Sequence, residues 1–246
     1  MKKLLTLILG IAIVNHAFTQ DYKYDLEGVS KVMIDSDNSI TLLAHDHNHF
    51  LIKEIGNEDH KSPKSAEGLK TANGKDRDNT GFGVEIREDG NILYVTSLHG
   101  ELADELIIYL PRSIDITISS LMRSTISIEG FESEIVARNH KGDIRMKNVT
   151  GPIVAQNEVG DIIIQFKELS QISPSSIVME NGEVDITFPK STKVTIESKM
   201  RSGKLYSNFD LGDKSKGRSN TIKLNGGGIQ LFLQSLAGDI RLREAQ

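Results

Sequence analysis

The chain has 246 residues, no cysteine, no tryptophan, five prolines and a formal charge of −5. The missing cysteine excludes a disulfide framework, thiolate-ligated zinc, a thiol nucleophile and a lipid-modified cysteine at an export cleavage site. The acidic balance, with no Lys/Arg run interleaved with aromatics, argues against a phosphate-reading surface and so against nucleic acid as a partner.

Residues 1–20 begin with Lys2 and Lys3, continue through an apolar run from Leu4 to Val14 and end in a more polar stretch. That is the layout of a secretory signal peptide, and the apolar run falls well short of the ~20 residues a membrane-spanning helix needs. Cleavage is expected near Thr19 to Asp21. The remaining chain, 21–246, is expected to form one domain in an extracytoplasmic space, the periplasm or the cell surface, with no integral membrane span. Removing Lys2 and Lys3 from the 29 basic residues leaves 27 against 34 acidic ones, a net charge of −7.

Beyond the signal segment, apolar residues alternate instead of recurring at helical spacing. Val29–Asp35, Gly83–Glu88, Asn91–Ser97, Glu105–Leu110 and Ile114–Ser119 are short alternating runs bounded by Gly, Asn, Asp or Pro, and read as strands. The stretch NSITLLAHDHNHFLIKE (38–54) reads as a hairpin with a polar tip. Its His45, His47 and His49 alternate, so an extended strand would project all three imidazoles to one side as candidate zinc or copper ligands. Side chains about 7 Å apart on a flat strand cannot share one tetrahedral ion without bending, and a polar turn is the simpler reading. Segments 56–81 and 210–228 are polar and rich in turn formers, and are expected to be exposed loops.

The second half repeats itself. Pro111–Phe131 laid over Pro189–Phe209 without gaps is identical at nine of 21 positions, an offset of 78 residues. Inside that frame IVARNHKGDI (Ile135–Ile144) becomes IVAQNEVGDI (Ile153–Ile162) 18 residues later. IVMENGEVDI (Ile177–Ile186) follows with its glycine moved forward, and LFLQSLAGDI (Leu231–Ile240) lies 78 residues after the Ile153 copy. Apolar residues sit two and four places after each glycine: Ile144 and Met146, Ile162 and Ile164, Val184 and Ile186, Ile240 and Leu242. That spacing puts them on one face of a strand, with glycine allowing a corner ahead of it. Asn139, Asn157 and Asn181 precede the corners, where a left-handed conformation suits asparagine. A unit of about 20 residues cannot bury its own apolar face, but stacked units can, so the predicted fold is all-β, a parallel β-helix or β-solenoid. A β-sandwich is the alternative.

The corner phrases at Gly142, Gly160, Gly182 and Gly238, the element LIIYLPRSIDITISS and the opening 38–54 stretch resemble the adhesin family of bacterial envelopes. That all-β strand-repeat group includes head domains of bacteroidete surface proteins. The resemblance implies an exported β-helix-like protein with no established catalytic residues. The function expected is therefore non-enzymatic binding or structural work, without a cofactor, toward an envelope protein or a surface glycan.

Two other chemistries are consistent with the residues. Asp143, Asp161 and Asp239 follow corner glycines, and with Asp185 they could form a row of acids for calcium or for polysaccharide cleavage, although acids after glycine are ordinary turn residues. His99 and His140 lack a serine and an acid at a recognisable spacing. Arg145, Lys147, Arg241 and Arg243 read as the solvated face of their strands. The repeated Met-Arg-Ser at Met122–Ser124 and Met200–Ser202 places Arg123 and Arg201 at corners, either as a binding stripe or as donors to nearby carbonyls and acids.

Overall fold

The structure, a computed structural model, describes residues 21–53, 78–98, 105–169, 173–209, 211 and 218–245. The expected signal peptide, most of the 56–81 loop and the first part of the 210–228 loop lie outside the described residues. The described chain is built of strands: β1 (Tyr22–Asp25), β2 (Lys31–Asp35), β3 (Ser39–His45), β4 (His49–Lys53), β5 (Val84–Asp89), β6 (Ile92–Ser97), β7 (Glu105–Pro111), β8 (Asp115–Arg123), β9 (Ile126–Glu129) and β10 (Ile135–Lys141). The second half continues with β11 (Ile144–Val149), β12 (Ile153–Val159), β13 (Ile162–Phe166), β14 (Ser175–Asn181), β15 (Val184–Phe188), β16 (Val194–Met200), β17 (Leu205–Ser207), β18 (Ser219–Leu224), β19 (Ile229–Ala237) and β20 (Ile240–Glu244).

Two ten-stranded sheets face each other, ordered β1-β4-β7-β3-β9-β11-β13-β15-β20-β17 and β18-β16-β19-β14-β12-β10-β8-β2-β6-β5. Apart from the antiparallel strands β4, β5 and β18, successive strands cross from one sheet to the other. The pairs β2/β3, β6/β7, β8/β9, β10/β11, β12/β13, β14/β15, β16/β17 and β19/β20 are therefore single turns of a flattened solenoid, each parallel to its neighbours in both sheets. The cross-section is that of a sandwich, while the connectivity is that of a β-helix.

Alternation along each strand turns one aliphatic row inward, and the parallel register lines these rows up. In the first sheet Leu106, Ile40, Ile126, Ile144, Ile162, Val184 and Ile240 pair in sequence and are all buried, ending on half-buried Leu205. Facing them run Val95, Ile34, Ile118, Ala137, Ala155, Ile177 and Leu233. A fully buried isoleucine contributes about 2–3 kcal/mol over an exposed one, so the shared row holds the stack together.

Stacking order is not chain order. β6/β7 lies outside β2/β3, and β19/β20 is inserted between β14/β15 and β16/β17. At both ends the chain's terminal turn thus sits one layer in. Antiparallel strands then cover the stack: β4 on β7, β1 on β4, β5 on β6 and, at the far end, β18 on β16. An uncovered edge is a template for unwanted pairing, which explains why the repeat is interrupted at the ends.

Four expectations need correction. β3 and β4 do not pair; β7 runs between them, so 38–54 is a split hairpin straddling a third strand. Residues 219–224 of the second polar segment are not loop but form β18, with Ile222 and Leu224 buried. Gly182 is not displaced: a Cβ there would run into the carbonyl of Gly160, so it occupies the same corner column. What shifts is the strand before it, because Ile177 pairs with Ala155 and not with Ile153. Finally, Met122 and Met200 are not equivalent. A bulge in β8 sets Leu121 and Met122 together opposite His140, leaving Met122 54% exposed, whereas Met200 is buried against Ser235.

Candidate functional site

The corners were the first place where acids could act together. Gly160 has φ +123, and an added Cβ would overlap the carbonyl of Gly142; the same stacking runs through Gly142, Gly182, Gly238 and Gly203. Glycine is required there because each corner lies directly on the one before. The aspartates that follow are used by the stack itself. Asp143 Oδ1 accepts the backbone N–H of Asp161 at 3.0 Å, Asp161 Oδ1 that of Glu183 at 2.9 Å, and Asp239 Oδ1 that of Lys204 at 2.9 Å. Partial burial would raise the Asp143 carboxyl, but the Asp161 amide and the Arg145 guanidinium outweigh it and hold it below the ordinary 3.8. Asp185 does not join this row. Glu183 holds the position after the glycine, and Asp185 lies two residues on, bound to Arg243 at 2.8 Å.

The asparagines act inside the corners. Asn139 Nδ2 donates to the Ser124 carbonyl at 3.0 Å and Asn157 Nδ2 to the Gly142 carbonyl at 2.8 Å, each reaching back one turn. Both are buried, and neither is left-handed: among the described residues the non-glycine positions with positive φ are Asn148 and Asn225. Asn181 is not their counterpart, since Asn157 pairs with Met179. A buried amide that satisfies a corner carbonyl explains these asparagines better than turn propensity does.

The outward cations are paired rather than merely solvated. Arg145 meets Asp143 at 2.7 Å, Lys147 meets Glu129 at 3.3 Å, and Arg241 grips Glu183 with two nitrogens, one at 2.8 Å. That grip, above all its hydrogen bond, lowers the Glu183 carboxyl and raises the Arg241 guanidinium. His140 Nδ1 lies 2.6 Å from Glu158 on the next turn, an exposed pair with no nucleophile in the contact. His99 lies outside the described residues.

The split hairpin gathers the three expected metal ligands. His45, His47 and His49 have ring centroids 5.5, 4.7 and 5.4 Å apart, far closer than a flat strand allows, because the chain turns over the end of β7. Arg112, following β7, donates to Asp46 and to the carbonyl of His45 and so anchors the tip. The rings are close but their nitrogens do not converge. His45 Nε2 is bonded to the His49 carbonyl at 2.8 Å, and the His47 and His49 rings lie within 17° of parallel. Among the described residues no group of three His, Cys, Asp or Glu side chains is arranged to hold a metal ion. Burial is the leading cause that pushes His45 and His49 below the ordinary 6.5, so both are neutral at pH 7.

One group was missed by sequence reading. Arg201 was singled out, but Lys204, Tyr206 and Arg218 were not, and these four line one hollow of about 520 Å3 at the end of the stack. Arg218 joins the others only because β18 turns back antiparallel onto β16, a pairing hidden in a segment read as loop. The pairing of hydrophobic Ile222 and Leu224 two residues apart was the available signal.

Comparison with known proteins adds the family. The Toastrack DUF4097 family model matches residues 120–243, just over half of the 246-residue chain. A comparison with curated proteins finds no match. A solved structure described as that of a candidate cell adhesion protein from Clostridium sporogenes is 14% identical, with a TM-score of 0.45 over 92% of this chain and 100% of that one. With the matched span running from the end of β8 to β20, this chain belongs to the Toastrack DUF4097 family.

Proposed function

We propose that this protein is a non-enzymatic, adhesin-like solenoid of the bacterial envelope, exported from the cytoplasm and acting by binding or by structural support. One observation carries the reading: the carboxylates placed where a polysaccharide-cleaving β-helix would need them are bound to the stack. Asp143, Asp161 and Asp239 each accept an amide of the adjoining turn, and Glu183 and Asp185 each hold an arginine. Asp143 and Glu183, held below the ordinary carboxylate range by such donors, are poor general acids, and the oxygens of the others are taken up by the stack. The signal-like residues 1–20 supply the argument for export.

The test has two arms. Cell fractionation is expected to find the processed chain outside the cytoplasm, and incubation with a panel of polysaccharides is expected to release no fragments. Fragment release that Asp143→Ala or Asp161→Ala abolishes would replace this reading with a glycan-cleaving one. The proximity of His45, His47 and His49 favours a second reading, capture of zinc or copper by reoriented rings. Calorimetric titration with either ion should then give heat that a triple-alanine variant lacks, and equal heats would dismiss it.

A further inference from the structure

We propose that the end of the stack formed by β16, β17 and β18 binds an acidic glycan, a linear polysaccharide bearing carboxylate or sulfate groups. This deepens the envelope-binding reading above and rests on it.

The two sheets end unevenly. β18 covers β16 in one sheet, while the other ends on three-residue β17, which pairs only with β20 among the described residues. The resulting step holds the hollow of about 520 Å3 lined by Arg201, Ser202, Lys204, Tyr206 and Arg218, with no acidic residue in its wall among the described residues. None of the three cations lies within ion-pair distance of an acid among the described residues. Elsewhere on the stack Arg87, Arg112, Arg145, Arg241 and Arg243 are paired; Arg123 and Arg138 are not, among the described residues, but neither lines this hollow. Three bare cations facing one hollow, in a chain of net charge −5, make a local positive field suited to an anion.

Tyr206 specifies the kind of anion. Its ring points outward from β17, is 47% exposed, and also borders a second hollow of about 240 Å3 lined by Asn208, Arg241 and Arg243. An aromatic face beside unpaired cations matches a sugar chain: the ring packs on the C–H face of one residue, and the Arg201, Lys204 and Arg218 side chains of the larger hollow take its acidic groups, while Arg241 and Arg243 on the other side stay with Glu183 and Asp185. The frame is fixed, because the Lys204 N–H is held by Asp239 and the Arg201 N–H by the Ser235 carbonyl. A nucleic acid would call for a longer cationic track and several stacking rings, which the surface here does not offer.

The test uses purified chain 21–246 titrated with polygalacturonate, a sulfated galactan and a neutral galactan, with inorganic sulfate and anionic phospholipid vesicles as further probes. The acidic polysaccharides should bind, more weakly as salt rises, and the neutral one should not. Arg201→Glu with Lys204→Glu should weaken binding by about tenfold or more. Tyr206→Ala should weaken polysaccharide binding by several-fold without changing the weak competition by sulfate. Far-UV circular dichroism and the melting midpoint of each variant should match the parent. Failure to bind any acidic polysaccharide, binding indifferent to the double reversal, binding to vesicles alone, or an unaffected Tyr206→Ala would each overturn the proposal. If fractionation finds the chain outside the cytoplasm while the polysaccharides fail, only this inference falls; a cytoplasmic chain would sink the broader reading instead.

Discussion

The middle of the stack and its two ends solve different problems with the same strands. From β10 to β15 one corner phrase recurs: a glycine stacked on the corner before it, followed by an acid that at Asp143 and Asp161 binds the next amide. At the ends there is no further copy. The chain doubles back, tucks its terminal turn one layer in and lays antiparallel strands over the last pair. Periodicity in the sequence therefore marks where both neighbours are alike. The residues free to do something other than stack, the His45 tip and the Arg201 hollow, sit where the period breaks.

The sharpest way to break this comparison is to substitute glycine in both settings. Gly160→Ala forces a side chain into φ +123 and into the Gly142 carbonyl, while the Gly160 N–H is held by the Asn181 carbonyl and the backbone cannot retreat. Backbone strain and overpacking together predict a loss of about 4 kcal/mol in urea denaturation. Gly226→Ala, beside β18 at the end, has φ +88 but open space around its Cβ, and should lose only about 1–2 kcal/mol. Equal losses would mean that corner stacking is not what distinguishes the middle.

Next in size is the acid. Asp161→Ala leaves the Glu183 N–H without its partner and should cost about 2 kcal/mol, whereas Asp161→Asn keeps an acceptor oxygen and should cost about 1 kcal/mol. Denaturant midpoints for the two variants separate the acceptor from the charge. If both variants behave like the parent, the acids after the corner glycines are free for other chemistry, and the case against catalysis weakens.

The middle was legible in the sequence because period-two aliphatics and repeated glycines are local signals, and the row Ile144, Ile162 and Ile240 follows from them. What failed to read were the long-range pairings. No local feature says that β7 slips between β3 and β4, or that β20 inserts between β15 and β17. Sequence matching was misled where chemistry and register disagree: Met122 and Met200 align by letter, but a one-residue bulge puts one outside and one inside. The Ile177 phrase matches Ile153 by letter yet stacks two residues out of step, because only the glycine is fixed by contact. The site followed the same rule, since Arg201 came from a local phrase and Arg218 from a pairing.

Acid should take the two regions apart in order. His45 and His49 have values below the ordinary 6.5 in the fold, so as pH falls through 6.5 the unfolded chain binds protons first. Stability contributed near the split hairpin is full above that pH and declines until the folded values are reached. Asp143 is held below the ordinary 3.8, so its contribution is present above 3.8 and is lost as pH falls through the folded value. Melting midpoints against pH should show an early decline reduced in His45→Gln and a later one reduced in Asp143→Asn. A single acid transition untouched by His45→Gln would mean that the end does not titrate separately.

The smallest effect belongs to the junction where β20 enters the stack. Arg243 meets Asp185 through three nitrogen–oxygen contacts of 2.8–3.0 Å, but the guanidinium side chain is 53% exposed, so Arg243→Ala should cost only about 0.5 kcal/mol, less at high salt. The pair matters more for alignment than for depth. A slip of β20 by two residues would still turn Ile240 and Leu242 inward, yet in either direction one of Arg241 and Arg243 would lose its acid, Glu183 or Asp185. The middle of the stack sets register with glycine corners; here the charges do part of that work. Refolding of Arg243→Ala should accordingly slow more than its equilibrium midpoint moves, and equal change in both would leave the corner glycine Gly238 as sufficient to align the inserted turn.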